Sequence, residues 1–522
     1  MPDFDKNKIK EYLLLFLILL AGFLFRYYHI VTTGWIIGDN THHLGMVQTA
    51  GSVFHFSDSD QYVRLARDYI EGKGLNIPFT PPMTAWFLIA IFTIFGDSYL
   101  AAKIIYALVG TFALLFVYLT ARGLFGKRVG FIAVTFCATS FTLIFITGGL
   151  NTENVYLFTS SLAIYLFFVL YRGDQFSERH PYITSALFGV SAAAAILTRT
   201  EFLLILAIFF FYGLLRQGWD NGKKVKITIS VVAGLFVLIG PWAIRNYTYM
   251  KSFNSVYAEA NLPVFVPTAL NGPYNFLEGH NPNATGTYSP AVSIGSNIQM
   301  VGEGGYTLAL DPQNSDHLNM VRDGYRLGFK HIAEHPMDEI RMLGVKKSVF
   351  VNGFSSGFFL NNFPVGFTGS VANKADSFVP IHGWWFWLPL LLFFVGLVAL
   401  VQRYRPVGVG NSVSGGAIRF LPLFPLIACL TTALMFYALT RMTFPTLPWF
   451  LMIVSVGIFY IVDLTGLRPP ESIVYRRWEI SIVIALFLIC IAFWQSGDRQ
   501  TVVKGEILPL GGYSVSPNKS VD

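Results

Sequence analysis

Long apolar runs separated by short charged segments dominate this chain. Runs near the length that a bilayer requires lie at 11–27, 98–121, 129–148, 153–171, 182–198, 200–216, 227–244, 383–402, 419–440, 446–465 and 478–495, which predicts about eleven membrane-spanning helices. A shorter run, 83–96, follows Pro81-Pro82 and predicts a helix in or along the outer interface. Between the first two spans the pattern becomes amphipathic. Tyr62, Leu65, Ala66, Tyr69 and Ile70 recur at helical spacing from Asp58 onward, while Arg64, Arg67, Asp68, Glu71 and Lys73 take the other face and Gly72 and Gly74 end the segment. Residues 245–382 leave the apolar pattern, with turn signals at Asn271-Gly272-Pro273 and Glu278-Gly279-His280-Asn281-Pro282 and a helical pattern over 318–350 interrupted at His335-Pro336.

Composition agrees with a polytopic membrane protein. Of 522 residues, 53% are hydrophobic and only 13% charged, about half the charged share of a soluble domain. The net charge of +7 would suit nucleic acid if the basic residues clustered on one soluble face, but they do not. They fall in alternate short connections: the N-terminal lysines, Arg122 with Lys127 and Arg128, Arg172 with Arg179, Arg216 with Lys223, Lys224 and Lys226, Arg403 with Arg405 and Arg419, and Arg468 with Arg476 and Arg477. By the positive-inside rule this side is cytoplasmic, so the plasma (inner) membrane protein has its N-terminus inside and residues 28–97, 149–152, 245–382, 441–445 and 496–522 outside. The chain thus divides into an N-terminal transmembrane module over 1–244, an extracytoplasmic subdomain over 245–382, C-terminal helices over 383–495 and an outer tail over 496–522. Lys6, Lys8 and Lys10 precede the first apolar run with no small-residue cleavage site after it, which reads as an uncleaved span. No internal repeat is evident.

The polar residues that membrane insertion makes costly gather on the outer side. Asp58 and Asp60 open the amphipathic segment, where an acid serves equally as a first-turn helix partner or as a catalyst. Glu153 begins a span after Thr152, and Arg199 and Glu201 share a short outer turn where they can pair. Arg245 and Arg441 stand at outer helix ends, against the positive-inside trend, which suits an anionic ligand such as phosphate as well as interfacial snorkelling. His42, His43 and His55 lie near the acids but match no firm metal-ligand spacing, and Cys137, Cys429 and Cys490 sit in apolar runs as small core residues.

The order Asp58-x-x-x-Tyr62-x-x-x-Ala66, Gly72-x-Gly74, Pro81-Pro82, Thr152-Glu153, Leu197-Thr198-Arg199, Pro241-Trp242-x-x-Arg245-Asn246, Gly279-His280-Asn281-Pro282, His335-Pro336 and Arg441-x-x-x-Pro445 resembles the C-type integral-membrane glycosyltransferases. The branch it is similar to is the protein mannosyltransferase and aminoarabinose-transferase-like group, glycosyltransferase family 39-like. The resemblance implies an all-α polytopic GT-C fold and inverting transfer of a sugar from a polyprenyl-phosphate donor to a lipid, glycan or protein acceptor on the outer face. It makes Asp58 the catalytic carboxylate of the first outer loop, acting as general base, and matches Glu153 to the acidic position of the second. Many members carry Glu directly after that Asp where this chain has Ser59, which leaves Asp60 as a substitute second acid. A divalent ion, Mg or Mn, would then be held by Asp58, Asp60 or Glu153. Arg245, Arg441, Lys346 and Lys347 would stabilise the leaving phosphate, with Tyr62, Arg199 and His280 supporting the site. A lipid-linked-sugar flippase is the rival reading, since it too places charges in a membrane cavity.

Overall fold

The computed structural model describes residues 6–33, 46–49, 52–55, 57–75, 78–173, 175–214, 219–287, 291–294, 297–300, 315–354, 384–402 and 417–465. The expected span at 478–495 and the pair His42 and His43 lie outside the described residues. Helices follow in the order α1 (Lys6–Thr33), α2 (Ser57–Ile70), α3 (Met83–Phe95), α4 (Tyr99–Phe125), α5 (Lys127–Thr139), α6 (Phe141–Phe145), α7 (Thr152–Arg172), α8 (Gln175–Arg179) and α9 (Pro181–Thr198). The chain continues with α10 (Phe202–Leu214), α11 (Asn221–Val256), α12 (Asn271–Gly279), α13 (Ser315–Glu334), α14 (Pro336–Asn352), α15 (Trp384–Val401), α16 (Leu423–Met435) and α17 (Leu447–Leu464). Two antiparallel ribbons interrupt this helical, multi-pass architecture: β1 (Met46–Thr49) with β2 (Ser52–His55), and β3 (Ala291–Ile294) with β4 (Asn297–Met300).

Among the described residues five helices are long and apolar enough to cross a membrane, or six if the bent α5–α6 pair is one span. The expected run at 129–148 is that bent pair, broken at Ser140. The runs at 200–216 and 419–440 become the shorter α10 and α16, and 83–96 becomes α3 as expected.

The largest difference is α11. The span read as ending at residue 244 runs on through Val256, past Pro241 and the polar Arg245-Asn246. Those polar groups are satisfied without ending the helix: Trp242 Nε1 donates to Thr268 O at 2.7 Å and Asn246 Nδ2 to Val266 O at 2.8 Å. The segment after α11 therefore packs directly on a continuation of the apolar helix.

The main core lies among α4, α5, α7, α9, α10, α15, α16 and α17. Small residues let backbones approach where helices cross. A Cβ on Gly189 would stand 2.2 Å from Val231 O, and one on Gly234 would stand 2.2 Å from Ala186 O, so neither α9 nor α11 tolerates a side chain at their crossing. A second cluster joins α2 and α3 to α4 and to the start of α7 through Tyr62, Val63, Ala66, Leu88, Tyr106, Leu150 and Val155. It is this packing that sets the acidic end of α2 against α7.

Candidate active site

The amphipathic pattern forms α2 as expected. Its buried stripe of Tyr62, Val63 and Ala66 faces the second core cluster, and Gly72 (φ +83°) and Gly74 (φ +76°) supply the left-handed backbone that turns the chain away. The helix opens at Ser57, so Asp58 and Asp60 belong to its first turn. The side chains of Asp58 and Asp60 lie outside the described residues.

Ser59, between them, is buried and donates from Oγ to Asn151 Oδ1 at 2.6 Å. Asn151 occupies the N-cap position of α7 but makes no side-chain cap bond to its own helix; its carbonyl oxygen is engaged by Ser59 instead. The first turn of α2 is thereby joined to the turn that carries Glu153. Sequence reading assigned neither residue this role, because the bond spans two loops and leaves no local pattern.

Glu153 and Arg199 are both brought into this site. Arg199 Nη1 lies 3.5 Å from Glu153 Oε1, and Arg199 Nε lies 3.0 Å from Glu201 Oε1, with all three side chains largely withdrawn from solvent. Tyr156 places its ring 5.7 Å from the guanidinium, and Cys429 Sγ donates to Glu201 Oε1 at 3.6 Å. The start of α7, the end of α9 and the middle of α16 thus close around Arg199 and two carboxylates. Acids at the starts of α7 and α10 also meet the positive ends of the helix dipoles.

Arg245 secures the segment that follows α2. Its Nη2 donates to Leu75 O and its Nη1 to Asn246 Oδ1, the latter at 3.1 Å, while the guanidinium stacks 4.6 Å from the Tyr249 ring and 5.2 Å from the Trp242 ring. Leu270 N and Asn271 N then bond Pro78 O and Phe79 O at 2.9 and 3.0 Å. The start of α12 is pinned to the same segment.

Lys346 and His280 form a second cluster at the end of α16. His280 Nδ1 lies 2.8 Å from Glu339 Oε2, and its Nε2 lies 2.8 Å from Met435 O and 3.4 Å from Lys346 Nζ. Lys346, fully buried, reaches Leu434 O at 3.3 Å and Gly279 O at 3.5 Å. Burial lowers its ammonium to about 8, although Glu339 opposes the shift. Lys347 is half-buried on the same helix. The turn Thr440–Thr446, which carries Arg441, packs against both α7 and α14 and so links the two clusters; the Arg441 side chain lies outside the described residues.

Of the residues expected to hold a divalent ion, only Glu153 has a described side chain, and it faces Arg199. Among the described residues no group of three or more His, Cys, Asp or Glu side chains could hold a metal. The described donors therefore do not form a metal site. Glu339 and Glu278 are buried acids that the sequence reading passed over. Glu278 is the more unusual, since neither carboxylate oxygen has a partner among the described residues and burial pushes its carboxyl well above the usual range.

Residues 80–244 match the family described as dolichyl-phosphate-mannose-protein mannosyltransferase. The resemblance to C-type glycosyltransferases drawn from the motifs is borne out by that match, which contains Glu153, Arg199 and α3 through most of α11. An uncharacterized protein of Aquifex aeolicus (strain VF5) is 27% identical over 190 residues, which are 35% of this chain and 36% of that protein. The match thus spans little more than a third of the relative. Among solved structures, the oligosaccharyltransferase of Archaeoglobus fulgidus in its apo form is 15% identical with a TM-score of 0.44, over 96% of this chain and 57% of that one. The chain therefore spans just over half of the oligosaccharyltransferase. ArnT from Cupriavidus metallidurans, bound to undecaprenyl phosphate, is 12% identical with a TM-score of 0.34, over 86% of this chain and 78% of that one.

Proposed function

We propose that this protein transfers a sugar, with inversion, from a polyprenyl-phosphate-linked donor to a lipid, glycan or protein acceptor on the extracytoplasmic face, with Asp58 as general base. The observation that carries this reading is the Ser59–Asn151 bond, which joins the acidic first turn of α2 to the turn of Glu153, the partner of Arg199. The family match over residues 80–244 supports the class of chemistry.

In this mechanism the acceptor hydroxyl gives its proton to the Asp58 carboxylate as its oxygen attacks the anomeric carbon. The bond from that carbon to the phosphate oxygen breaks through an oxocarbenium-like state, and the polyprenyl phosphate leaves with the bonding electrons. Charge gathering on the phosphate calls for cations. Arg245, Arg441, Lys346 and Lys347 are assigned that role. Glu153 keeps Arg199 in place beneath the reacting groups, and the subdomain built on α11 to α14 shields the site from water.

The test is transfer by the purified full chain in liposomes, given a labelled polyprenyl-phosphate sugar and candidate acceptors. Labelled acceptor is the expected product. Movement of the donor lipid across sealed vesicles with no transfer would overturn the reading in favour of a flippase.

A further inference from the structure

Glu339 ties the start of α14 to neighbouring elements. It follows His335-Pro336 in the first turn of the helix, is buried, and places Oε2 2.8 Å from His280 Nδ1. Its Oε1 has no hydrogen-bond partner among the described residues and lies 3.9 Å from His331 Nε2 of α13. Lys346 follows seven residues later on the same face of α14, and its Nζ stands 3.4 Å from His280 Nε2. The His280 ring thus lies between the acid and the ammonium.

The far side of this cluster is the end of α16. His280 Nε2 lies 2.8 Å from Met435 O, and Lys346 Nζ donates to Leu434 O at 3.3 Å. A Cβ on Gly279 would stand 2.1 Å from Phe436 O, so the segment after α12 lies directly on the same backbone. Ala438 N then donates to Gly286 O at 3.0 Å. These contacts hold the backbone over 434–438 immediately before the turn Thr440–Thr446, which carries Arg441 and packs on α14.

The charges around the cluster give Glu339 its part. As a carboxylate it only accepts hydrogen bonds, so it fixes a proton on His280 Nδ1 and directs Nε2 to Met435 and Lys346. The titratable groups that face Glu339 are His280, His331 and Lys346, and those that face Lys346 are Glu339 and His280, with backbone carbonyls contributed by α16. His335 and Asp338 act on His331 from the corner between α13 and α14. Among the described residues Glu339 is therefore the acid that favours the charged form of Lys346 against its burial.

We propose that Glu339 is a positioning residue for sugar transfer, orienting the His280 ring and supplying the counter-charge of the Lys346 ammonium, so that the end of α16 presents the Arg441 turn to the leaving phosphate. The assignment rests on the proposed reaction for the roles of Arg441 and Lys346.

The test uses the full chain in liposomes with a labelled polyprenyl-phosphate sugar. Transfer kcat and donor KM are measured from neutral to alkaline pH for wild type, Glu339→Gln and Glu339→Asp, together with polyprenyl phosphate binding over the same range and the thermal midpoint. Glutamine keeps the shape and an oxygen that accepts from Nδ1 but removes the charge. Wild-type kcat should fall as pH rises through about 8, where Lys346 loses its proton. In Glu339→Gln this alkaline limb should move about one pH unit lower, which reduces kcat about fivefold at pH 8 with donor KM unchanged. Glu339→Asp, which keeps the charge, should return the limb toward its wild-type position. An absent or unmoved limb overturns the proposal, including the case where kcat falls together with the midpoint, which marks a structural role. A moved limb that aspartate does not return overturns it as well. If wild type transfers no sugar, the proposed reaction fails and the limb is read from polyprenyl phosphate binding: its displacement in Glu339→Gln supports the positioning role, and a limb that stays in place overturns it.

Discussion

Ser59 Oγ and Asn151 Oδ1, 2.6 Å apart and buried, couple two turns that no local sequence pattern connects. Ser59 is also the position at which this chain lacks the Glu common in the family it resembles. The hydroxyl fills by hydrogen bonding a place where a second carboxylate would meet Asn151 and crowd the negative charge of Glu153.

Replacing this hydroxyl should loosen the site before it unfolds the protein. Ser59→Ala leaves Asn151 Oδ1 as a buried acceptor without its donor, at a cost of about 1–3 kcal/mol. Transfer should fall through kcat, read beside the thermal midpoint. Ser59→Glu, which restores the common family pair, should lower the midpoint further, because it buries a charge beside another acid.

The buried Glu153–Arg199–Glu201 group makes a sharper prediction for stability. Arg199→Met removes a cation that faces two withdrawn carboxylates, and breaking such a group costs about 3–5 kcal/mol. Adding Glu153→Gln and Glu201→Gln should recover most of that loss in the thermal midpoint. A single variant as stable as wild type would show that the carboxylates find solvent or other cations.

Much of this arrangement was legible in the sequence where short-range physics governs it. The spacing of Tyr62, Leu65, Ala66 and Tyr69, ended by Gly72 and Gly74, gives α2, and the break at His335-Pro336 separates α13 from α14. Arg199 and Glu201 pair because they are two residues apart. What escaped depends on tertiary partners. Arg245 and Asn246 read as the end of a span, yet carbonyls of residues 75 and 266 satisfy them and α11 continues. Asn151 meets Ser59 only because α2 packs on α3 and α4. The short ribbons β1–β2 and β3–β4 also went unread, although Gly295-Ser296 between β3 and β4 is a two-residue hairpin signal.

Glu278 should make stability depend on pH in a particular direction. Its folded carboxyl is raised by burial, so above the ordinary glutamate value of about 4.3 the unfolded chain releases a proton that the folded one retains. The group therefore costs stability increasingly as pH rises from there toward its folded value. Glu278→Gln should raise the thermal midpoint near pH 7 and change it little near pH 4. Equal shifts at both would contradict a neutral buried acid.

Lys346 predicts the complementary behaviour in alkaline solution. Its folded value is lowered to about 8 from 10.5, so below about 8 the folded protein holds the ammonium at a desolvation cost. That cost is relieved as pH rises toward the unfolded value, a gain of up to about 3 kcal/mol. The thermal midpoint of wild type relative to Lys346→Met should therefore climb between these limits. A difference that stays flat with pH would show that the ammonium remains charged in the fold.

The assignment of Asp58 as general base is tested most directly by the rate of sugar transfer from a labelled polyprenyl-phosphate donor, measured for wild type and Asp58→Asn under donor saturation. Asparagine occupies nearly the same volume but cannot accept the acceptor's proton. The account predicts that Asp58→Asn binds the donor and keeps its thermal midpoint while transfer is abolished. Transfer by Asp58→Asn at the wild-type rate would contradict it.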